Sequence, residues 1–262
     1  MTVNDIALEI ERAILAGRFG VGEKLPSERN LSLRFGVSRP ILREALRTLA
    51  ERQLVEVQPG RGAFVRGASA TDGARSLARV IGRQAATPRQ VVEARVMLER
   101  EAAYLAADRA TSAELKMAEE ALELLVAATG PIERSRADIR FHALLARMSH
   151  NPVIETMFFS IVAPVFDLML SSVGEPSVVQ VTADIHRAIC ESIAAHDGAA
   201  ARAAIDEHFR QGESLYREDP DQPLEVATGN RLRAILGSPA ATEAVLREAL
   251  ADLDGITSED GE

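Results

Sequence analysis

From residue 89 to residue 217 the chain repeats apolar residues at helical spacing almost throughout. That pattern predicts helices at 89–108, 112–128, 132–149, 151–172, 178–195 and 199–216. The breaks between them are short: Thr111-Ser112, Gly130-Pro131, Asn151-Pro152, Gly174 to Pro176 and Asp197-Gly198. Helices joined by so few residues run antiparallel to their neighbours, so the fold expected here is a bundle. Hydrophobic residues make up 47% of the 262, enough to fill its core.

The first 67 residues read differently. A helix is expected over 5–17, with Asn4 as its cap and Ile6, Ile10, Ile14 and Leu15 on one stripe. Gly17, Gly20 and Gly22 end it. Ser27 caps a second helix that runs to Phe35, and Gly36 supplies a tight turn. Ser38 caps a third, with Pro40 in its first turn, reaching about Glu51. Leu54–Val57 and Ala63–Val65 then flank Pro59-Gly60-Arg61-Gly62, the pattern of a β-hairpin. Three helices and a hairpin make a winged helix-turn-helix. The expected fold is therefore mainly α: this winged helix-turn-helix over 1–67, a linker over 68–88 with a short helix near 73–83, and an all-α antiparallel bundle over 89–217. Residues 218–262 form an acidic extension with one helix at 239–253, where Leu246, Leu250 and Leu253 share a face.

Charge separates the same regions. Residues 1–68 hold 11 Lys and Arg against 8 Asp and Glu, residues 69–217 hold 16 against 20, and residues 218–262 hold 3 against 11. Only the N-terminal part is basic, which suits a small DNA-facing module on a larger acidic body. With 4% aromatics and no Trp, stacking on single-stranded nucleic acid is not its main business. A single cysteine, Cys190, excludes an internal disulfide framework. No apolar run approaches the roughly 20 residues of a membrane span, and charges run through the N-terminal stretch, so the expectation is a cytoplasmic protein with no membrane partner.

On the third helix Arg39, Arg43 and Arg47 recur every four residues and share one face, opposite Leu42, Ala45, Leu46 and Leu49. Arginine can pair bidentately with guanine O6 and N7 or grip a phosphate, so this stripe fits major-groove reading. Charge spacing alone also fits a solvated face near Glu44 and Glu51; the preceding turn glycine and the following hairpin favour DNA. At the hairpin tip, small residues around Gly60 let backbone approach a duplex, and Arg61 is placed for a minor groove or a phosphate.

Asp138 and His142, at i and i+4, share a helix face. His186 and His208 are each 11 residues from Asp197, at the centre of a helical hairpin, so their side chains reach the same height. One carboxylate and three imidazoles in a bundle are good ligands for a divalent ion, Zn²⁺ first, with Ni²⁺ or Mn²⁺ as alternatives. Periodicity does not show whether the Asp138/His142 helix faces that hairpin. His150 and His196 fall at helix ends and receive no role. Cys190, one turn after His186, fits a core thiol.

Residues 6–65 resemble the DNA-binding domain of GntR-family bacterial transcription regulators. The likeness rests on Gly22-Glu23-Lys24-Leu25-Pro26-Ser27-Glu28-Arg29, Phe35-Gly36-Val37-Ser38-Arg39, Leu42-Arg43-Glu44-Ala45-Leu46-Arg47, and Gly60, Gly62, Phe64 and Val65. It implies that Arg29, Ser38, Arg39 and Arg43 contact DNA and that the wing near Gly60 enters the minor groove. Gln53 departs from the glycine common there, which bears on the turn before Leu54-Val55. Residues 89–217 resemble the all-helical FCD effector-binding domain of the FadR-like subfamily, through Glu93-Ala94-Arg95, Leu98-Glu99, Asp138, Phe141-His142, Asn151-Pro152, His186 with Ile189, and His208. The Asp-His-His-His set is that of metal-binding members, and the acyl-CoA-responsive members lack it. Arg95 matches a position facing the effector cavity, where a guanidinium would hold a small carboxylate; on the residues alone it also reads as an i,i+4 pair with Glu99 on a surface.

The function expected is a dimeric, ligand-responsive regulator, a repressor on a palindromic operator, with a small organic acid effector held at the metal. It is not expected to be an enzyme. The rival readings are a metal-dependent hydrolase or lyase with a DNA-binding appendage, for which no general base is evident, and a non-specific architectural DNA binder, against which the acidic body speaks.

Overall fold

The computed structural model describes residues 1–67, 77, 80–172, 176–212 and 220–250. It divides into two compact units, 1–72 and 73–262.

In the first unit, α1 (Val3–Leu15), α2 (Glu28–Phe35) and α3 (Arg39–Glu51) precede a two-stranded antiparallel sheet, β1 (Val55–Gln58) and β2 (Gly62–Val65). The cap of α1 is Thr2 rather than Asn4. Its hydroxyl accepts from the Asp5 amide while the Asp5 carboxylate accepts from the Thr2 amide, a reciprocal box that Asn4 cannot form from inside the first turn. Ser27 caps α2 as expected, accepting from the Asn30 amide. Ile6, Ile10, Leu31, Leu42, Leu46, Leu49, Val55 and Val65 make the core. Ile14 packs against that core, but Leu15, about 100° further round the helix, is 73% exposed. Residues 22–25 run along β2: Gly22 N donates to Val65 O, Leu25 N to Ala63 O and Val65 N to Glu23 O.

Gln53 makes the turn between α3 and β1 with φ +64, in the left-handed region where a glycine would be unstrained. The missing glycine leaves the turn's conformation intact and adds backbone strain. Gln53→Gly should stabilise this unit by about 1 kcal/mol, the relief of that strain exceeding the extra freedom glycine gives the unfolded chain; thermal denaturation of the two proteins side by side checks it.

The second unit is helical: α4 (Pro88–Arg109), α5 (Ser112–Ala127), α6 (Pro131–Met148), α7 (Pro152–Ser172), α8 (Pro176–Ala194) and α9 (Gly198–Gly212). Each lies within a few residues of its expected span. Thr87 with Gln90 and Thr111 with Glu114 cap α4 and α5, and Asn151 accepts from the Val153 amide at the start of α7. The helix turns are closed by His150 and His196, both left-handed, at φ +46 and +57. Their rings brace the corners: His150 Nε2 sits 2.9 Å from Glu114, and His196 Nδ1 donates to Ala107 O at 2.7 Å. α4 packs against α6, α7, α8 and α9, so it is the central post of the bundle. α7 is long and apolar enough over Pro152–Ser171 to cross a membrane by composition alone, contrary to the expectation that no run approaches that length. Glu155 and Asp167 interrupt its apolar run. Phe158, Phe166 and Leu170 of this helix are fully buried within the bundle.

The extension carries two helices, α10 (Leu224–Leu236) and α11 (Pro239–Leu250), not one. They fold back on the bundle, α10 against α7 and α11 against α6 and α7. Leu246 and Leu250 are buried as their stripe requires; Leu253 lies outside the described residues. Arg231 donates to Ser171 O, and Arg136 pairs with Glu248. Residues 220–224 fasten to the start of α4: Arg89 N donates to Pro220 O, Leu224 N to Ala86 O, and the Arg89 guanidinium spans both oxygens of Asp221 at 2.7 and 3.0 Å. The short helix expected near 73–83 falls mostly outside the described residues; 80–83 are helical.

Candidate metal centre and DNA-facing surface

Asp138 and His142 project from α6, His186 from α8 and His208 from α9. The three imidazoles form a near-equilateral triangle, with ring centroids 4.9, 4.9 and 5.0 Å apart. One ligand atom from each lies within 4.8 Å of the others. Asp138 Oδ1 closes the group, 3.6 Å from His142 Nε2 and 3.7 Å from His186 Nε2. The α8–α9 hairpin brings His186 and His208 level, as their equal distance from Asp197 requires, and α6 turns its Asp138/His142 face toward them.

Asp138 Oδ1, His142 Nε2 and His186 Nε2, at the centre of this group, are buried and have no hydrogen-bond partner among the described residues. Such atoms cost free energy unless something pairs with them. A divalent cation fits what the geometry leaves open, with three nitrogens and one carboxylate oxygen converging on one point. Two of the rings are also kept in the form a metal needs. Burial pushes His186 down to about 3 against the pull of Asp138, and pushes His208 well below its ordinary value, aided by the two neighbouring imidazoles. Asp138 remains a carboxylate: burial alone would raise it, but the close approach and charge of His142, with that of His186, hold it below its usual range.

Behind His142 stands a charged relay. Its Nδ1 is 2.6 Å from Glu99 Oε2, and Glu99 Oε1 accepts from Arg95 Nε at 2.8 Å. Both Arg95 and Glu99 are buried. Burial would raise the Glu99 carboxyl, but Arg95 and His142 outweigh it and hold it at about 2. A carboxylate on the far nitrogen fixes the ring's tautomer and aims Nε2 at the ligand position. Phe141 stacks on His186 at 4.1 Å, and Phe209 lies 5.0 Å beneath the Arg95 guanidinium. Thus Arg95 does form the i,i+4 pair with Glu99, but in the interior rather than on a surface. The role of Glu99 toward His142 was not read from the sequence; the pair spacing was visible, the helix it faced was not. Cys190 lies in the core, its thiol pushed up to about 12 by burial, which leaves it inert as a ligand.

Two outcomes follow. Glu99→Gln should weaken metal binding ten- to a hundredfold, the usual cost of losing such a partner, measured by competition against a chromophoric chelator. In the metal-free protein burial lowers the His142 pKa but Glu99 more than restores it, so it lies above the ordinary 6.5. A proton therefore competes for Nε2 below that raised value, and apparent metal affinity should begin to fall on acidification while the pH is still above 6.5.

In the first unit, Arg39, Arg43 and Arg47 stand exposed on α3, with Arg29 exposed on α2. Ser38 is the N-cap residue of α3, but its hydroxyl makes no capping bond, which leaves it open to a phosphate. Arg43 Nε donates to both Glu28 oxygens at 2.9 and 3.1 Å, and Arg47 Nε to Glu51 at 3.2 Å. Glu28, an unanticipated partner, crosses from α2 and fixes where Arg43 starts. Gly60 turns the wing with φ +74, and the Arg61 guanidinium lies 5.5 Å from the Phe64 ring centre.

Comparison with known proteins decides what these two units are. Residues 2–65 match the family of bacterial regulatory proteins, gntR family, and residues 90–211 match the FCD domain. The galactonate operon transcriptional repressor of Escherichia coli K12 is 31% identical over 219 residues, covering 78% of this chain and 93% of its own. The chain belongs to the GntR family. It is a transcription regulator of the GntR/FCD type, a family of DNA-binding regulators and not of enzymes. An L-lactate dehydrogenase operon regulatory protein of E. coli K12 is 31% identical over 236 residues, 84% of this chain and 88% of that one. Among solved structures, a GntR protein of Streptococcus agalactiae superposes with a TM-score of 0.60 at 26% identity, over 81% of this chain and 99% of that one. Helices α10 and α11 lie beyond both family matches.

Proposed function

We propose that this regulator is a cytoplasmic repressor that binds a palindromic operator as a homodimer and responds to a small hydroxycarboxylate held at a divalent metal in the helical unit. The observation that carries the reading is the Asp138–His142–His186–His208 group, in which the facing atoms of Asp138, His142 and His186 are buried and have no hydrogen-bond partner among the described residues. Zn²⁺ suits three imidazoles and one carboxylate, with Ni²⁺ and Mn²⁺ as the alternatives. When bound, the metal supplies a Lewis-acidic anchor for a carboxylate oxygen. The chain's own residues do the rest. Glu99 orients His142, Arg95 holds Glu99 ionised, and the Arg95 guanidinium adds positive potential that favours an anionic effector on that side. His208, only partly buried, stands at the open side of the group. Galactonate and L-lactate, in the names of two relatives, are both hydroxycarboxylates, and they support that effector class.

On the DNA side, Arg39 and Arg43 read base edges or grip phosphates in the major groove, with Arg29, Ser38 and Arg47 on the backbone and Gly60 and Arg61 at the minor groove. Effector binding works by favouring one arrangement of the protein over another, so it changes operator affinity only through a difference in effector affinity between them. Fluorescence anisotropy with duplex from upstream of the protein's own gene tests the whole reading. Galactonate, L-lactate and other small acids are added with and without a chelator. Specific binding shifted by one acid, and only with metal present, is the expected result; an acid response that ignores the chelator would separate effector from metal. In the same assay Arg39→Ala and Arg43→Ala should each lower operator affinity by about 1–3 kcal/mol.

A further inference from the structure

We propose that Lys24, which the arginine pattern does not single out, is a phosphate-contacting residue beside the wing. It rests on the DNA-binding reading above. Lys24 is the only lysine among residues 1–67, where every other cation of the unit is arginine. A lysine is a compact point charge with freely turning donors, well suited to a phosphate.

Its position is built, not incidental. The backbone on either side is tied to β2 by the Leu25–Ala63 and Val65–Glu23 hydrogen bonds, both 2.8 Å, and Lys24 itself bridges to Phe64. The side-chain stem lies flat over Gly62. A Cβ at Gly62 would come within 2.9 Å of Lys24 Cε, so the glycine makes room for the lysine. The ammonium ends 5.9 Å from the centre of the Phe64 ring, the ring that also receives the Arg61 guanidinium at 5.5 Å. Two positive charges from distant parts of the chain thus each approach the Phe64 ring, and neither has a carboxylate partner among the described residues. Arg43, Arg47 and Arg52 in the same unit each have one. Cation–π attraction to the ring favours both charges at this place. A phosphate beside Lys24 supplies the anionic partner that the free protein does not give it, with little reordering of the side chain. Lys24 therefore contributes affinity that does not depend on sequence.

The test uses the full chain, the upstream duplex and a shuffled duplex of equal length, titrated from 50 to 300 mM salt. Lys24→Met keeps the stem on Gly62 and removes the charge; Lys24→Arg keeps the charge. Lys24→Met should weaken binding to both duplexes by the same factor, about five- to tenfold near 0.1 M salt, and reduce the slope of log affinity against log salt by about 1. Lys24→Arg should restore most of both. An unchanged slope and affinity in Lys24→Met, with Arg39→Ala still weakened, overturns the proposal and leaves DNA binding standing. Lower affinity with an unchanged slope and a lowered melting temperature also overturns it, because the lysine would then act only on the fold. Failure of the unsubstituted protein to bind any duplex would instead remove the DNA-binding reading and this proposal with it.

Discussion

Four ligand atoms that face one another in a protein interior cannot be left alone, and the helical unit is organised around that fact. Among the described residues, the facing atoms of Asp138, His142 and His186 have no partner except what enters between them. Burial keeps His186 and His208 uncharged, so the cavity cannot relieve itself by protonating those rings. Only His142 is pushed the other way, and the cause is Glu99, itself held by Arg95. The result is an asymmetric triangle: two passive rings and one ring driven from behind. A structure that merely tolerated histidines in its core would need no such arrangement. The position of α4 as the central post follows as well, since it delivers Arg95 and Glu99 to the back of a ring carried by α6.

The backbone corners make that convergence possible. His186 and His208 meet because the α8–α9 turn closes tightly at His196, in a left-handed conformation that costs energy for a residue with a Cβ. Its ring recovers part of that cost by capping the Ala107 carbonyl near the end of α4. Gly198 sits so close to Tyr104 that a Cβ would meet its ring and its carbonyl oxygen inside 3 Å. The hairpin carrying two ligands is thereby seated on the same helix that carries Glu99.

Much of this was legible. Capping residues, turn glycines and apolar spacing placed all of the helices from α1 to α9, because each signal is local. The level of His186 with His208 was also legible, since it depends only on counting from one turn. The orientation of α6 was not. Ile139, Phe141, Ala143, Leu144, Leu145, Ala146 and Met148 are all buried, so the helix is apolar nearly all round and offers no stripe from which to infer a face. Glu99 was hidden for the same reason, as its partner lies across a packing interface rather than along a helix. The helix α10 was missed because Pro220 and Pro223 announce irregular chain, and of its residues only Thr228 is buried; its periodic signal is nearly absent. Glu51, the partner of Arg47, was within sight on the same helix, but Glu28, the partner of Arg43, comes from a neighbouring helix.

The fastening of residues 220–224 to Ala86 and Arg89 ties the chain just ahead of α10 to the start of α4. The first turn of the central helix is thereby held from outside as well as by its own cap, and fraying there must also break bonds made by chain 132 residues further on. A load on that helix start is borne by two segments of chain rather than by one helix terminus.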